Sequence, residues 1–310
     1  MKKYAAVFPG QGSQSVGMFA DFMDSPVVVQ TYQEANDALG YDLRAVTLNG
    51  PESELNKTEV TQPAILTASV AAYRALLQKA DAPAAVAGHS LGEYSALVAA
   101  GVMNFADAVK LVRLRGQAMQ EAVPAGVGAM AAVLGLDDQV VIDVCKEVST
   151  ASDQVWAANF NTPGQVVISG GKAAVDKAVE AFTAKGARRV VPLAVSAPSH
   201  CPLMQSAADR LAEALDSIVL SDAKVAVYCN YSAEATTSAT EIKKALVKQL
   251  TCPVRWVKSV ENMSSAGIEA MLECGPNKVL CGLIRKIDRN LESCNICNEE
   301  SLLKALTVIA

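Results

Sequence analysis

The chain has 310 residues, 51% of them apolar, and sets 27 Lys and Arg against 32 Asp and Glu for a net charge of −5. This excludes a disordered chain, provides for one large core or a large domain carrying a smaller one, and argues against nucleic acid as a partner. No signal peptide is expected at Met1–Gly10, no bilayer span at Ala96–Met103, and eight cysteines without a secretory signal point to the cytoplasm.

Tyr4–Phe8 is an apolar run stopped by Pro9-Gly10, which predicts a buried strand entering a glycine-rich loop. Val27–Leu39 carries a weak helical period and Pro63–Gln78 a stronger one. Ala84–Ala87 predicts a short buried strand, Gly88–Gly92 a tight turn, and Glu93–Ala100 and Phe105–Gln120 two helices. Strand, turn and helix in alternation predict a parallel sheet covered by helices.

The rhythm then changes. Strands are expected at Val127–Leu134, Gln154–Phe160, Gln165–Ser169 and Arg188–Val195, with helices at Asp137–Ser149 and Lys172–Lys185. This βαββαβ order is that of a ferredoxin-like unit. It is read as an insertion over 126–196, bracketed by Gly126, Gly128 and Ser196-Ala197-Pro198, which leaves a discontinuous large domain of 1–125 and 197–310. Helices at Leu203–Leu215, Glu241–Leu250 and Val254–Met263 and strands at Lys224–Cys229 and Ile268–Glu273 return to the large domain. Beyond Asp288 the chain turns polar, with room for a short helix in Ser301–Ala310. Cys294-Asn295-Ile296-Cys297 reads as two ordinary thiols, and no cysteine–histidine spacing suggests a metal.

Gly88-His89-Ser90-Leu91-Gly92 is a GxSxG sequence between a predicted strand and a predicted helix. Its glycines permit a sharp turn that lifts the Ser90 hydroxyl beside a helix N-terminus, where free N–H groups can stabilise an oxyanion. A serine nucleophile needs a base. Of the two histidines, His89 should point away from its neighbour, which leaves His200 at the return to the large domain. Spacing alone also allows His200 to be a surface residue of a proline-containing loop. The loop Phe8–Gln14 fits neither a dinucleotide nor a P-loop pattern and reads, by itself, as a plain turn.

Taken together, these segments resemble the malonyl-CoA:acyl carrier protein transacylases. The resemblance lies in Phe8–Gln14, Gly88–Ala96, Arg115-Gly116 with Met119-Gln120, Asn161 with Pro163–Gly170, and Pro198-Ser199-His200. It continues through Gln249-Leu250, Pro253–Trp256 and Gly275-Pro276 with Val279-Leu280. Asn277 and Cys281 depart from the residues common there, and packing adjustments are expected.

The resemblance implies an α/β-hydrolase-like large domain with a ferredoxin-like insertion, and malonyl transfer from malonyl-CoA to acyl carrier protein in fatty acid biosynthesis. It implies Ser90 as nucleophile, His200 as base, and the backbone N–H groups of Gln11 and Leu91 as oxyanion hole. Arg115 would bind the malonyl carboxylate, and the backbone carbonyl of Gln249 would orient the histidine. No cofactor, metal or membrane is implied, and a monomer is expected. Lys185, Arg188 and Arg189, and Arg285, Lys286 and Arg289, are candidate docking cations for an acidic carrier. The competing activities are a related transfer from another acyl-CoA and a serine esterase or thioesterase; the hydrolase would need an acid near His200, for which Asp153 and Asp176 are the candidates.

Overall fold

The computed structural model describes residues 2–195 and 197–310. The chain opens with β1 (Tyr4–Phe8), α1 (Pro26–Leu39), α2 (Leu43–Asn49), α3 (Glu52–Leu55) and the long α4 (Thr58–Leu77). β2 (Ala85–Gly88), α5 (Gly92–Ala99) and α6 (Phe105–Ala122) follow. A second unit holds β3 (Gly128–Leu134), α7 (Asp138–Val148), β4 (Val155–Thr162), β5 (Gln165–Gly171), α8 (Lys172–Ala184) and β6 (Arg189–Pro192). The chain returns with α9 (Gln205–Asp216), β7 (Ala226–Tyr228), β8 (Ala235–Thr236), α10 (Ala239–Thr251), α11 (Trp256–Ser265) and β9 (Ala270–Cys274). It closes with α12 (Val279–Ile287), β10 (Glu292–Ile296) and α13 (Glu299–Ile309).

The larger sheet has the order β10-β9-β1-β2-β7-β8, parallel except for β8 against β7. β1 lies inside it with both faces covered, so all five of its residues are buried. Side chains alternate along it: Ala6 and Phe8 join the core that contains α4 and α6, whereas Ala5 and Val7 pack with Trp256, Val260 and Leu280. The smaller sheet is antiparallel in the order β4-β5-β3-β6, the ferredoxin-like arrangement that the βαββαβ pattern predicts. Ala131, Val133 and Ile168 face α7 and α8; the opposite face presents Met130, Ala132, Ala158 and Val167. Ser196, where the expected insertion ends, lies outside the described residues.

Several expectations need correction. α4 begins at Thr58, not at Pro63, which sits inside the helix. Proline removes only one backbone donor there, and burial of nearly all of α4 between its neighbours outweighs that loss. The last strand of the small sheet stops at Pro192, and α9 is preceded by a short 3₁₀ turn, Pro202–Met204. The polar tail is structured: β10 pairs in parallel with β9, and Asn298 caps α13 through a capping box with Ser301. Cys294 lies in that strand, paired with Leu272, and Cys297 follows it; both thiols are free. Among the described residues no helix is long and apolar enough to cross a membrane.

Candidate active site

The small sheet is laid over the C-terminal ends of β1 and β2. Its anchor is β4, where Phe160 N donates to Val254 O at 2.9 Å and Val254 N to Ala158 O at 2.8 Å. Between the units lies a cleft of about 650 Å³, walled on one side by Ser90, Arg115 and His200 and on the other by Met130, Val167 and Leu193.

Ser90 stands at the turn from β2 to α5 with φ 53°, a left-handed conformation unusual for a side chain. The turn closes because its flanks are glycines: a Cβ on Gly88 would lie 1.9 Å from Gly92 C, and one on Gly92 2.0 Å from Phe8 O. Asn230, just beyond β7, fixes the bend. Its Oδ1 accepts from Ser90 N at 2.7 Å, and its Nδ2 donates to Gly88 O at 2.6 Å. Leu91 is the N-cap of α5, directly after Ser90, while the N–H groups of Gly92, Glu93 and Tyr94 bond back to the carbonyls of His89, Ser90 and Leu91. Gln11, in the loop after β1, lines the same cleft. His89 points away from Ser90, as expected; its Nε2 meets Asn161 Oδ1 of β4 at 2.8 Å and its ring packs against Trp256.

His200 is also left-handed, with φ 60°. Its Nε2 lies 2.8 Å from Ser90 Oγ and its Nδ1 2.8 Å from Gln249 O. A carbonyl only accepts, so Nδ1 carries the proton and Nε2 presents its lone pair to the serine hydroxyl. Burial pushes the imidazole down to about 3, and the positive charge of Arg115 acts in the same direction. The ring is therefore neutral at neutral pH. The two aspartates that a hydrolase reading would enlist are elsewhere: Asp153 accepts from Ala174 N at the start of α8, and Asp176 pairs with Lys172 on an exposed face.

Arg115 is 1% exposed although it lies on an amphipathic helix. Close packing makes this possible. Gly116 rests on the first turn of α4, where a Cβ would come 2.8 Å from Thr58 O. Arg115 donates to Gln62 Oε1 at 2.9 Å, Gln249 Oε1 at 3.1 Å and Ser90 Oγ at 3.3 Å, and its guanidinium carbon lies 5.4 Å from the Tyr94 ring centre. These hydrogen bonds go to neutral oxygens, so the guanidinium keeps its capacity for a carboxylate. Arg113 takes another face, over Tyr41.

The structure thus brings Ser90, His200, Arg115 and Gln249 together and places Gln11 and Leu91 around them. Sequence reasoning missed Gln62, Glu93 and Asn230. Each is a buried polar residue, Gln62 and Glu93 within apolar helices, and that placement was the available signal. Among the described residues no group of three or more His, Cys, Asp or Glu side chains is placed to hold a metal ion.

The sequence profile of the acyl transferase domain matches residues 6–299. The chain belongs to the acyl transferase family. Within it, the malonyl CoA-acyl carrier protein transacylase of Escherichia coli strain K12 is 54% identical over 307 residues, covering 98% of this chain and 99% of that one. Among solved structures, the acyl-carrier-protein S-malonyltransferase of Burkholderia pseudomallei 1710b superposes with a TM-score of 0.97 at 51% identity, covering 99% of this chain and 100% of the other. A malonyl-transacylase in complex with a type II polyketide acyl-carrier protein gives a TM-score of 0.96 at 51% identity, covering 99% of each chain. The two-sheet fold is therefore the fold of these transferases.

Proposed function

We propose that this chain transfers a malonyl group from malonyl-CoA to the phosphopantetheine thiol of acyl carrier protein, through an ester on Ser90. Family membership and near-full-length likeness to malonyl transacylases support the overall reaction. The observation that carries the substrate assignment is Arg115: a buried guanidinium, held by neutral oxygens, reaches the nucleophile at 3.3 Å. Its planar fork suits bidentate binding of a carboxylate. An acyl group lacking that carboxylate leaves a buried charge unpaired, which costs far more than a missing methyl group.

The geometry and the family resemblance support the following roles. His200 Nε2 takes the proton from Ser90 Oγ as the oxygen attacks the thioester carbonyl, with Gln249 O holding the ring. The backbone N–H groups of Gln11 and Leu91 receive the oxyanion. The tetrahedral intermediate collapses, the carbon–sulfur bond breaks, and His200 returns the proton to coenzyme A thiolate. The carrier thiol then gives its proton to His200, attacks the ester and displaces Ser90, which recovers that proton.

The same reading places the chain in the cytoplasm, with no cofactor and with boundaries of 1–125 and 197–310 for the large domain and 126–196 for the small one. Intact-mass measurement tests it: malonyl-CoA should add one malonyl group, Ser90→Ala should abolish the adduct, and carrier protein should discharge it as malonyl-carrier. Release as free malonate without malonyl-carrier would overturn transfer.

A further inference from the structure

We propose that Glu93 is a positioning residue for substrate selection, acting through the side-chain amide of Gln249 to aim the Arg115 guanidinium at the acyl carboxylate. This rests on malonyl transfer as proposed above. Glu93 lies in the first turn of α5, three residues beyond Ser90, with no exposed surface. It joins two elements distant in sequence: its Oε2 accepts from Gln249 Nε2 at 2.7 Å and from Asn230 N at 3.2 Å.

The Gln249 amide has two chemically different ends. Its NH₂ group is used by Glu93 Oε2 and by Ser90 O at 2.9 Å, which leaves Oε1 to accept from Arg115 Nη2 at 3.1 Å. Rotated by half a turn, the amide would set its NH₂ against the guanidinium donors and its oxygen against two acceptors. An ionised carboxylate at position 93 is acceptor-only and enforces the productive orientation. A protonated acid or an amide at that position can itself donate, and so weakens the lock. The negative charge also offsets part of the desolvation of Arg115 before substrate arrives.

Gln249 divides the labour between its two parts. The backbone carbonyl holds His200, and the side chain holds Arg115. Proton transfer serves every acyl group alike, whereas the arginine reads only those carrying a carboxylate. Removing the charge of Glu93 should therefore affect malonyl more than acetyl. Burial pushes the Glu93 carboxyl up to about 7, opposed by its hydrogen bonds to Gln249 and Asn230 and by Arg115. The groups facing it stay fixed around neutral pH. Arg115 on α6 remains cationic, and the Cys229 thiol after β7 is pushed up by burial and by Glu93 itself. Tyr94 is raised to about 12, and His200, across Gln249, is lowered to about 3.

The test is the rate of Ser90 loading from malonyl-CoA and from acetyl-CoA, read by intact mass, for the wild-type chain and Glu93→Gln at about pH 8. Malonyl loading should fall at least about tenfold more than acetyl loading. Parallel losses, or no loss, would overturn the assignment. If Glu93→Gln melts out or fails to fold, the wild-type chain carries the test alone. Its malonyl-to-acetyl loading ratio should drop severalfold as pH falls through about 7, because His200 cancels in the ratio; a flat ratio overturns the role. A wild-type chain that forms no malonyl adduct would instead overturn the underlying reaction.

Discussion

The two walls of the cleft are built from different materials. The large-domain wall presents Ser90, His200 and Arg115, backed by the buried Gln249 and Glu93 and tied by hydrogen bonds drawn from α5, α6, α10 and the loop before α9. The small-domain wall draws on the outer face of an antiparallel sheet, with Met130 and Val167 nearly buried and Leu193, Asn159, Asn161 and Gln165 beside them. In the proposed reaction the first wall carries the chemistry, and it tolerates little change because each polar partner lost leaves another unpaired. The second gives the cleft its shape and, in the proposed reaction, helps keep water from an ester whose competing fate is hydrolysis.

Three substitutions sharpen this contrast. The largest effect should come from His200→Ala, which removes the base and should slow malonyl loading by about 10²–10⁴ in single-turnover measurements. Near-normal rates would mean that another group takes the serine proton. Arg115→Ala comes next. Malonyl loading should fall about a hundredfold, with a smaller change for acetyl-CoA, so that discrimination between them relaxes. Retained selectivity would remove the arginine from carboxylate recognition. The smallest effect should come from the opposite wall. Met130→Ser should shorten the lifetime of the malonyl-enzyme in water by about threefold while changing transfer to a thiol by less than about twofold. A transfer defect as large as that of Arg115→Ala would erase the distinction between the walls.

Much of the fold could be read from the chain because its signals are local. Tyr4–Phe8 is apolar throughout and bounded by Pro9, and the observed strand has those limits. β10 escaped because Glu292–Ile296 contains Glu, Ser and Asn; its strand character comes from pairing with β9. α2, α3 and α12 are short, with 7, 4 and 9 residues, too few turns for a period to emerge. The site divides in the same way. Ser90 was legible from flanking glycines, and His200 because only two histidines exist. Arg115 needed the family resemblance, since a helical arginine is ordinarily solvated. Glu93 was not legible, because its role is set by partners 137 and 156 positions away.

The contact between His89 Nε2 and Asn161 Oδ1 runs from the residue beside Ser90 to a strand of the smaller unit. It joins the bend that carries Ser90 directly to the smaller sheet, so the two units share a fixed point one residue from that hydroxyl.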